Sequence, residues 1–243
     1  MGVILGGFLL ASALAAAAPP AAENFRQAGE LARAGDTPKA LEIYRDLAGS
    51  GVESASLYWN WAQAAEARGA QGEALWALLR AREMAPGDRA VDREIERLRQ
   101  VANLDPAEIA PDPLAVVART ARRFRLDLVA CLLLAISVAA HAALRWRRAG
   151  APLARMAWTA LGLGLAVAAV PIAGAYARPT GVVVRRGAPV LDAASPTAES
   201  IGSLREGEVV PVLEKSGGYV RVEDSSGVRG WAAAADVPDL TPL

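Results

Sequence analysis

The residue types that carry catalysis are scarce in this chain. It has one histidine (His141), one cysteine (Cys131) and two lysines (Lys39 and Lys215). A side-chain nucleophile needs a base beside it. Cys131 lies in an apolar run, where a cysteine is inert, and both lysines stand among turn residues, so no Ser–Lys pair is set up. No His, Cys and carboxylate cluster has metal-ligand spacing. No glycine-rich phosphate loop follows a strand pattern, and Gly162 and Gly164 fall in an apolar stretch where small residues serve helix packing. The reading is of a protein that binds and does not catalyse, with no catalytic residue, no metal and no cofactor.

Aromatic residues are the candidates for binding. Tyr58, Trp59, Trp61 and Trp76 fall at helical spacing, and Tyr219 and Trp231 fall in short β-type runs. Each set has two readings: a partner-binding face, or core packing, which such spacing favours. His141 is an ionisable residue in an apolar run, a position with a functional reading. It stands four residues before Arg145, near the interface, which favours an interfacial or helix-packing role. Asp127, at the other end of the same run, is placed to pair with Arg123 or water.

Four segments must position these residues. Net charge is zero overall, yet residues 23–112 carry −5, residues 113–178 carry +8 and residues 179–243 carry −3. The central arginines flank apolar runs and do not cover a folded face, which argues against a nucleic-acid partner. Residues 1–22 have a short apolar core, small residues and then Pro19-Pro20, the pattern of a signal peptide or an uncleaved signal anchor. Residues 126–144 and 156–176 are apolar and long enough to cross a bilayer. A basic loop at 145–155 joins them, preceded by a Pro-rich linker at 105–125. A two-span hairpin puts its flanking domains on one side. The export signal and the short arginine loop place both outside the cytoplasm, on a bacterial inner membrane.

Residues 23–104 match themselves at an offset of 34, the signature of a helix–turn–helix repeat. Ala28 falls over Ala62, Gly35 over Gly69 and Ala40 over Ala74. The alanines suit close helix crossings and the glycines suit left-handed helix ends. The repeats cover about 23–53 and 55–88, closed by Pro86, and a charged helix at 89–102 caps them. With Tyr44 in the second helix, Ala-Gly-Asp-Thr-Pro-Lys-Ala-Leu-Glu-Ile-Tyr resembles the turn and second helix of the tetratricopeptide repeat family.

Residues 179–239 switch to short runs between turns. The strand candidates are 182–184, 188–191, 208–213, 219–223 and 228–232. The stretch from Ile201 to Val210, with Ser216-Gly217-Gly218-Tyr219-Val220-Arg221-Val222 and Gly230-Trp231, resembles the bacterial SH3-like family. It departs from that family at the opening strand, where Ala188-Pro189-Val190-Leu191-Asp192-Ala193 stands. The expected fold is therefore a multidomain membrane protein: all-α tetratricopeptide-type repeats, a two-helix transmembrane hairpin and a small all-β SH3-like barrel. The order of segments resembles the BatE-type proteins of the Bat aerotolerance group. That resemblance implies membrane-anchored von Willebrand factor A-domain partners and a MoxR-type ATPase acting from the cytoplasm. Beside the lipid bilayer, two roles stand: a scaffold binding protein partners, or an envelope-sensing module whose SH3-like domain binds peptidoglycan.

Overall fold

The computed structural model describes residues 20–109, 113–147, 151–174 and 176–240. The segment read as a signal therefore lies outside the described residues up to position 19. The chain divides into two compact units between Val52 and Glu53.

The first unit is a helical hairpin of α1 (Pro20–Arg33) and α2 (Thr37–Gly49). Its turn is closed by Asp36 N–H donating to the Leu31 carbonyl at 2.9 Å and Gly35 N–H donating to Ala32 at 3.1 Å. Gly35 takes φ +85°, the left-handed conformation a helix end of this kind requires. Pro38, in the first turn of α2, sits where its missing N–H has no helical partner to lose. Ala28, Ala40 and Tyr44 are fully buried, and the Tyr44 ring packs on Phe25 at 6.2 Å.

The second unit opens with the same device 34 positions on. Helices α3 (Ala55–Ala67) and α4 (Gln71–Met84) are joined at Gly69, φ +81°, with Ala70 N–H donating to the Ala65 carbonyl at 3.0 Å. Ala62 and Ala74 are buried like their counterparts Ala28 and Ala40. Ser54 caps α3 through the Leu57 N–H, and Asp88 caps α5 (Arg89–Val101) through the Ala90 N–H. Helix α5 buries only Val91, Ile95 and Leu98. Its outer face is charged, with Arg97 bridging Glu94 and, on α3, Glu66.

The stretch read as a linker is not one. After a 3-10 turn at Pro106–Ile109, residues Pro113–Arg123 form α6. Pro113 stands at the first helical position, where proline is tolerated, so one of the prolines that suggested a linker marks a helix start. Arg119 and Arg122 of α6 reach back to Glu83 on α4. The apolar runs become α7 (Leu126–Arg147) and α8 (Ala151–Gly174), at ~1.5 Å per residue about 33 and 36 Å long. Both are long and apolar enough to span a membrane. They extend past the apolar runs into the expected basic loop, of which only 148–150 lies between them and outside the described residues.

Small residues set the α7–α8 approach. Gly164 faces Leu133 and Leu134, where a Cβ would stand 3.0 Å from the Leu134 side chain and press it aside. Ser137 is buried, and its hydroxyl donates across to the Ala157 carbonyl at 2.9 Å. His141 is absorbed by this packing: Nδ1 lies 2.8 Å from the Ser137 carbonyl, and the ring meets Trp158 edge-on at 5.3 Å. Asp127 lines a cleft of about 370 Å³ with Glu83, Arg122 and Arg178. Arg123, its expected partner, lies instead over the Phe124 ring.

The chain ends in a six-stranded antiparallel sheet: β1 (Thr180–Val182), β2 (Ala188–Leu191), β3 (Ser200–Leu204), β4 (Val209–Ser216), β5 (Tyr219–Glu223) and β6 (Arg229–Ala233), in spatial order β1-β4-β5-β6-β2-β3. Strand β3 was not among the sequence candidates. Four of its five residues are exposed, so no alternation marks it. Its one buried residue, Leu204, joins Val190, Val210, Val212, Val220 and Val222 in one core. The β5–β6 turn is built on Asp224, whose carboxylate accepts from Ser226 N–H (2.9 Å), Ser226 O–H (2.7 Å) and Val228 N–H (2.8 Å). Partial burial pushes this carboxyl upward, but those donors outweigh it and hold its pKa below the usual aspartate value. A lowered folded-state pKa gives stability that is present above the unfolded value and lost as pH falls through the folded one. Asp224→Ala is expected to cost the sheet about 1–2 kcal/mol at pH 7. Denaturant unfolding followed by tryptophan fluorescence should show that gap closing below about pH 4.

Candidate functional site

Three of the six candidate aromatics converge. Tyr58 and Trp61 lie one turn apart on α3, and Trp76 faces them from α4. Ring centroids are 5.9 Å apart for Tyr58–Trp61, 5.7 Å for Tyr58–Trp76 and 5.0 Å for Trp61–Trp76, the last two edge-on as the ring quadrupoles prefer. Trp59, about 100° round the helix from Tyr58, is half-buried and outside this cluster. Trp61 Nε1 donates to Glu73 at 2.8 Å.

A residue that the sequence did not single out sits over this cluster. Arg80, one turn after Trp76, is only 4% exposed. Its guanidinium lies 5.2 Å from the Tyr58 ring centre, pairs with Glu53, and donates to the Leu240 carbonyl at 2.7 Å. Trp76 Nε1 donates to the neighbouring Asp239 carbonyl at 3.0 Å. The aromatic face is thus occupied by the chain's own last described residues. That tail is held as an added edge beside β1: Val182 N–H donates to Pro238 at 3.1 Å and Leu240 N–H to Thr180 at 2.8 Å. Burial raises the Tyr58 hydroxyl above its ordinary pKa, while Arg80 pulls the other way.

A second set of contacts extends the seam. The Gly72 N–H, in the first turn of α4, donates to Glu206 at 2.8 Å. A side chain at Gly72 would meet the Val183 carbonyl at 2.5 Å, so only glycine lets the helix come this close. Arg205 donates to the Asn103 carbonyl at 2.9 Å and to Glu108 at 2.6 Å. Leu104, buried at 2% exposure, and Leu75 both approach Gly207. The second hairpin, the turn after α5 and the sheet are therefore joined by both polar and apolar contacts.

Tyr219 and Trp231 are not in the sheet's core. In β5 and β6 the buried positions are Val220, Val222, Gly230 and Ala232, which leaves Tyr219, Arg221 and Trp231 on the opposite face, with both aromatics half-buried. Arg221 stands directly across from Trp231 on one side and Glu214 on the other. Leu191 of β2 completes the row beyond Trp231. Aromatic, cationic and aliphatic side chains thus form one strip on the face away from the valine core. Among the described residues no group of three or more His, Cys, Asp or Glu could hold a metal ion.

The sheet defines the class: a small antiparallel β domain docked on a helical hairpin, carried by two membrane-length helices. Residues 186–238 match the family model for the bacterial SH3 domain, and this part of the chain is such a domain. Neither the curated proteins nor the solved structures contain a match to the chain.

The seam at Gly72 generates a direct expectation. Gly72→Leu should force the helix off the Val183 carbonyl and cost about 1–3 kcal/mol. Hydrogen exchange should then rise at 180–184, 205–208 and 236–240 while the α7–α8 pair keeps its protection. Unchanged exchange at those three segments would contradict the seam.

Proposed function

We propose that the protein is a membrane-anchored interaction scaffold that works by binding and not by catalysis. The observation that carries this reading is the docked SH3 domain. It closes the aromatic face of α3–α4 with its own tail and leaves the strip of Tyr219, Arg221 and Trp231 outermost. Aromatic side chains with an arginine among them are the composition of binding hot spots. The second helical hairpin braces that domain, and we read both hairpins as tetratricopeptide-type repeats. Support for the repeat reading is the 34-residue recurrence of Ala28/Ala62, Gly35/Gly69 and Ala40/Ala74, each pair with matching burial or turn conformation.

The membrane reading places α7 and α8 across the bilayer as a hairpin. Its support is their length and apolarity, and the fact that Asp127 at the start of α7 and Gly174 at the end of α8 line one cleft with Glu83. Both soluble parts then share one side. The export-type start of the chain argues that this side is extracytoplasmic. The order of segments supports placing it among BatE-type proteins, with von Willebrand factor A-domain partners in the same membrane. A second reading, peptidoglycan binding, is favoured by the bacterial SH3 match and the same strip.

Full-length protein in detergent separates the two. In the scaffold reading, Tyr219→Ala with Trp231→Ala weakens capture of a membrane protein partner tenfold or more with little change in Tm. Co-sedimentation with purified sacculi that the double variant abolishes, with no protein partner captured, selects the peptidoglycan reading. Retention of full binding in the double variant overturns the strip as the site. A periplasm-active reporter fused after Leu243 is expected to be active, and an inactive fusion reverses the proposed side.

A further inference from the structure

Away from the aromatic seam, a second cleft of about 170 Å³ opens between α4, the Pro86-Gly87 turn, the start of α5 and α6. Its cationic lining is Arg82, Arg119 and Arg123, with Thr120 between the last two. The volume is several times the roughly 30 Å³ of a water molecule, so a tetrahedral oxyanion fits. Arg82 is the unusual member. Its Nε is buried without a hydrogen-bond partner, and among the described residues neither Arg82 nor Arg123 has a carboxylate within ion-pair distance. Burial, with Arg119 adding repulsion, draws the Arg82 pKa down to about 10. A guanidinium held this way is short of an anion.

The acids nearby do not meet that need. Glu83 is engaged by Arg119 Nε at 3.2 Å and by Arg122. Asp92 also lines the cleft, but against three arginines it leaves the site positive. Gly87 keeps the wall open for Arg123, whose Nε would lie 2.9 Å from any Cβ there. We infer that Arg82, Arg119 and Arg123 form a phosphate-binding site, since the forked donors of arginine match phosphate oxygens. Position points to the source. Arg123 is three residues before Leu126, where the membrane-length α7 begins, and the intervening Phe124 is 61% exposed beside it. An exposed aromatic beside arginines at the end of an apolar helix suits a phospholipid headgroup. Only this lipid assignment depends on α7 crossing a bilayer. The phosphate site itself does not.

The test uses full-length protein in phosphatidylcholine nanodiscs at constant ionic strength. It is titrated in one arm with inorganic phosphate and in the other with a short-chain phosphatidic acid, and binding is read by calorimetry. Saturable binding in either arm, weakened tenfold or more by Arg82→Gln and by Arg123→Gln but unchanged by Arg93→Gln, supports the site. Arg93 lies on the outer face of α5 and serves as the charge control. Saturation by the phosphatidic acid alone identifies a lipid headgroup, and equal affinity for inorganic phosphate identifies a free anion. No saturable binding in either arm overturns the site, as does equal weakening in all three variants. Arg123→Gln removes an exposed side chain, so it keeps the test decisive if Arg82→Gln does not fold.

Discussion

A guanidinium at 4% exposure must be satisfied from within the protein, because an unpaired buried charge costs several kcal/mol. Arg80 meets this with four partners that come from three places in the chain: Glu53 before α3, the ring and hydroxyl of Tyr58 on α3, and the Leu240 carbonyl beyond the sheet. Removing any one leaves the others holding an under-satisfied charge. That single side chain makes the helical hairpin and the SH3 domain depend on each other's folded state. A hydrogen bond to a charged group contributes about 1.5–3 kcal/mol, more than a neutral one, so the Leu240 contact is a large part of the seam's polar energy.

The rest of the seam follows from bringing α4 up to β1. Gly72 allows the approach and Glu206 satisfies its free helix-start N–H. Trp76 then lies where its indole N–H finds the Asp239 carbonyl, the polar handle a buried tryptophan needs. The aromatic residues therefore fall into two sets. Tyr58, Trp61 and Trp76 are used up inside the molecule, whereas Tyr219 and Trp231 face outward on strands whose other side is the valine core.

Much of this was legible in the sequence because it follows from periodicity. The 34-residue recurrence located both hairpin turns, with Gly35 and Gly69 in the left-handed conformation that their place at helix ends implied. Apolar length located α7 and α8. Two elements escaped for physical reasons. Strand β3 has four of its five residues in solvent and so carries no alternation, and α6 was hidden by prolines that read as linker signals when one of them starts a helix. No pattern in the sequence could sort the candidate aromatics into an internal and an external set. That sorting depends on Trp76 and Arg80 meeting Asp239 and Leu240 across about 160 positions, and on Gly72 meeting Glu206 across 134. Arg80 did leave a trace: a charge four residues after Trp76, inside the otherwise apolar face of α4.

The seam holds α3–α5 and the SH3 domain as one block. It is tested most directly by a distance distribution between spin labels on exposed positions of the two parts, at Arg93→Cys on α5 and Ser203→Cys on β3, with Cys131→Ala removing the native thiol. Double electron–electron resonance on the full-length protein in nanodiscs is predicted to give a single narrow peak. A broad or multi-peaked distribution would mean that the seam does not hold the SH3 domain to the helices.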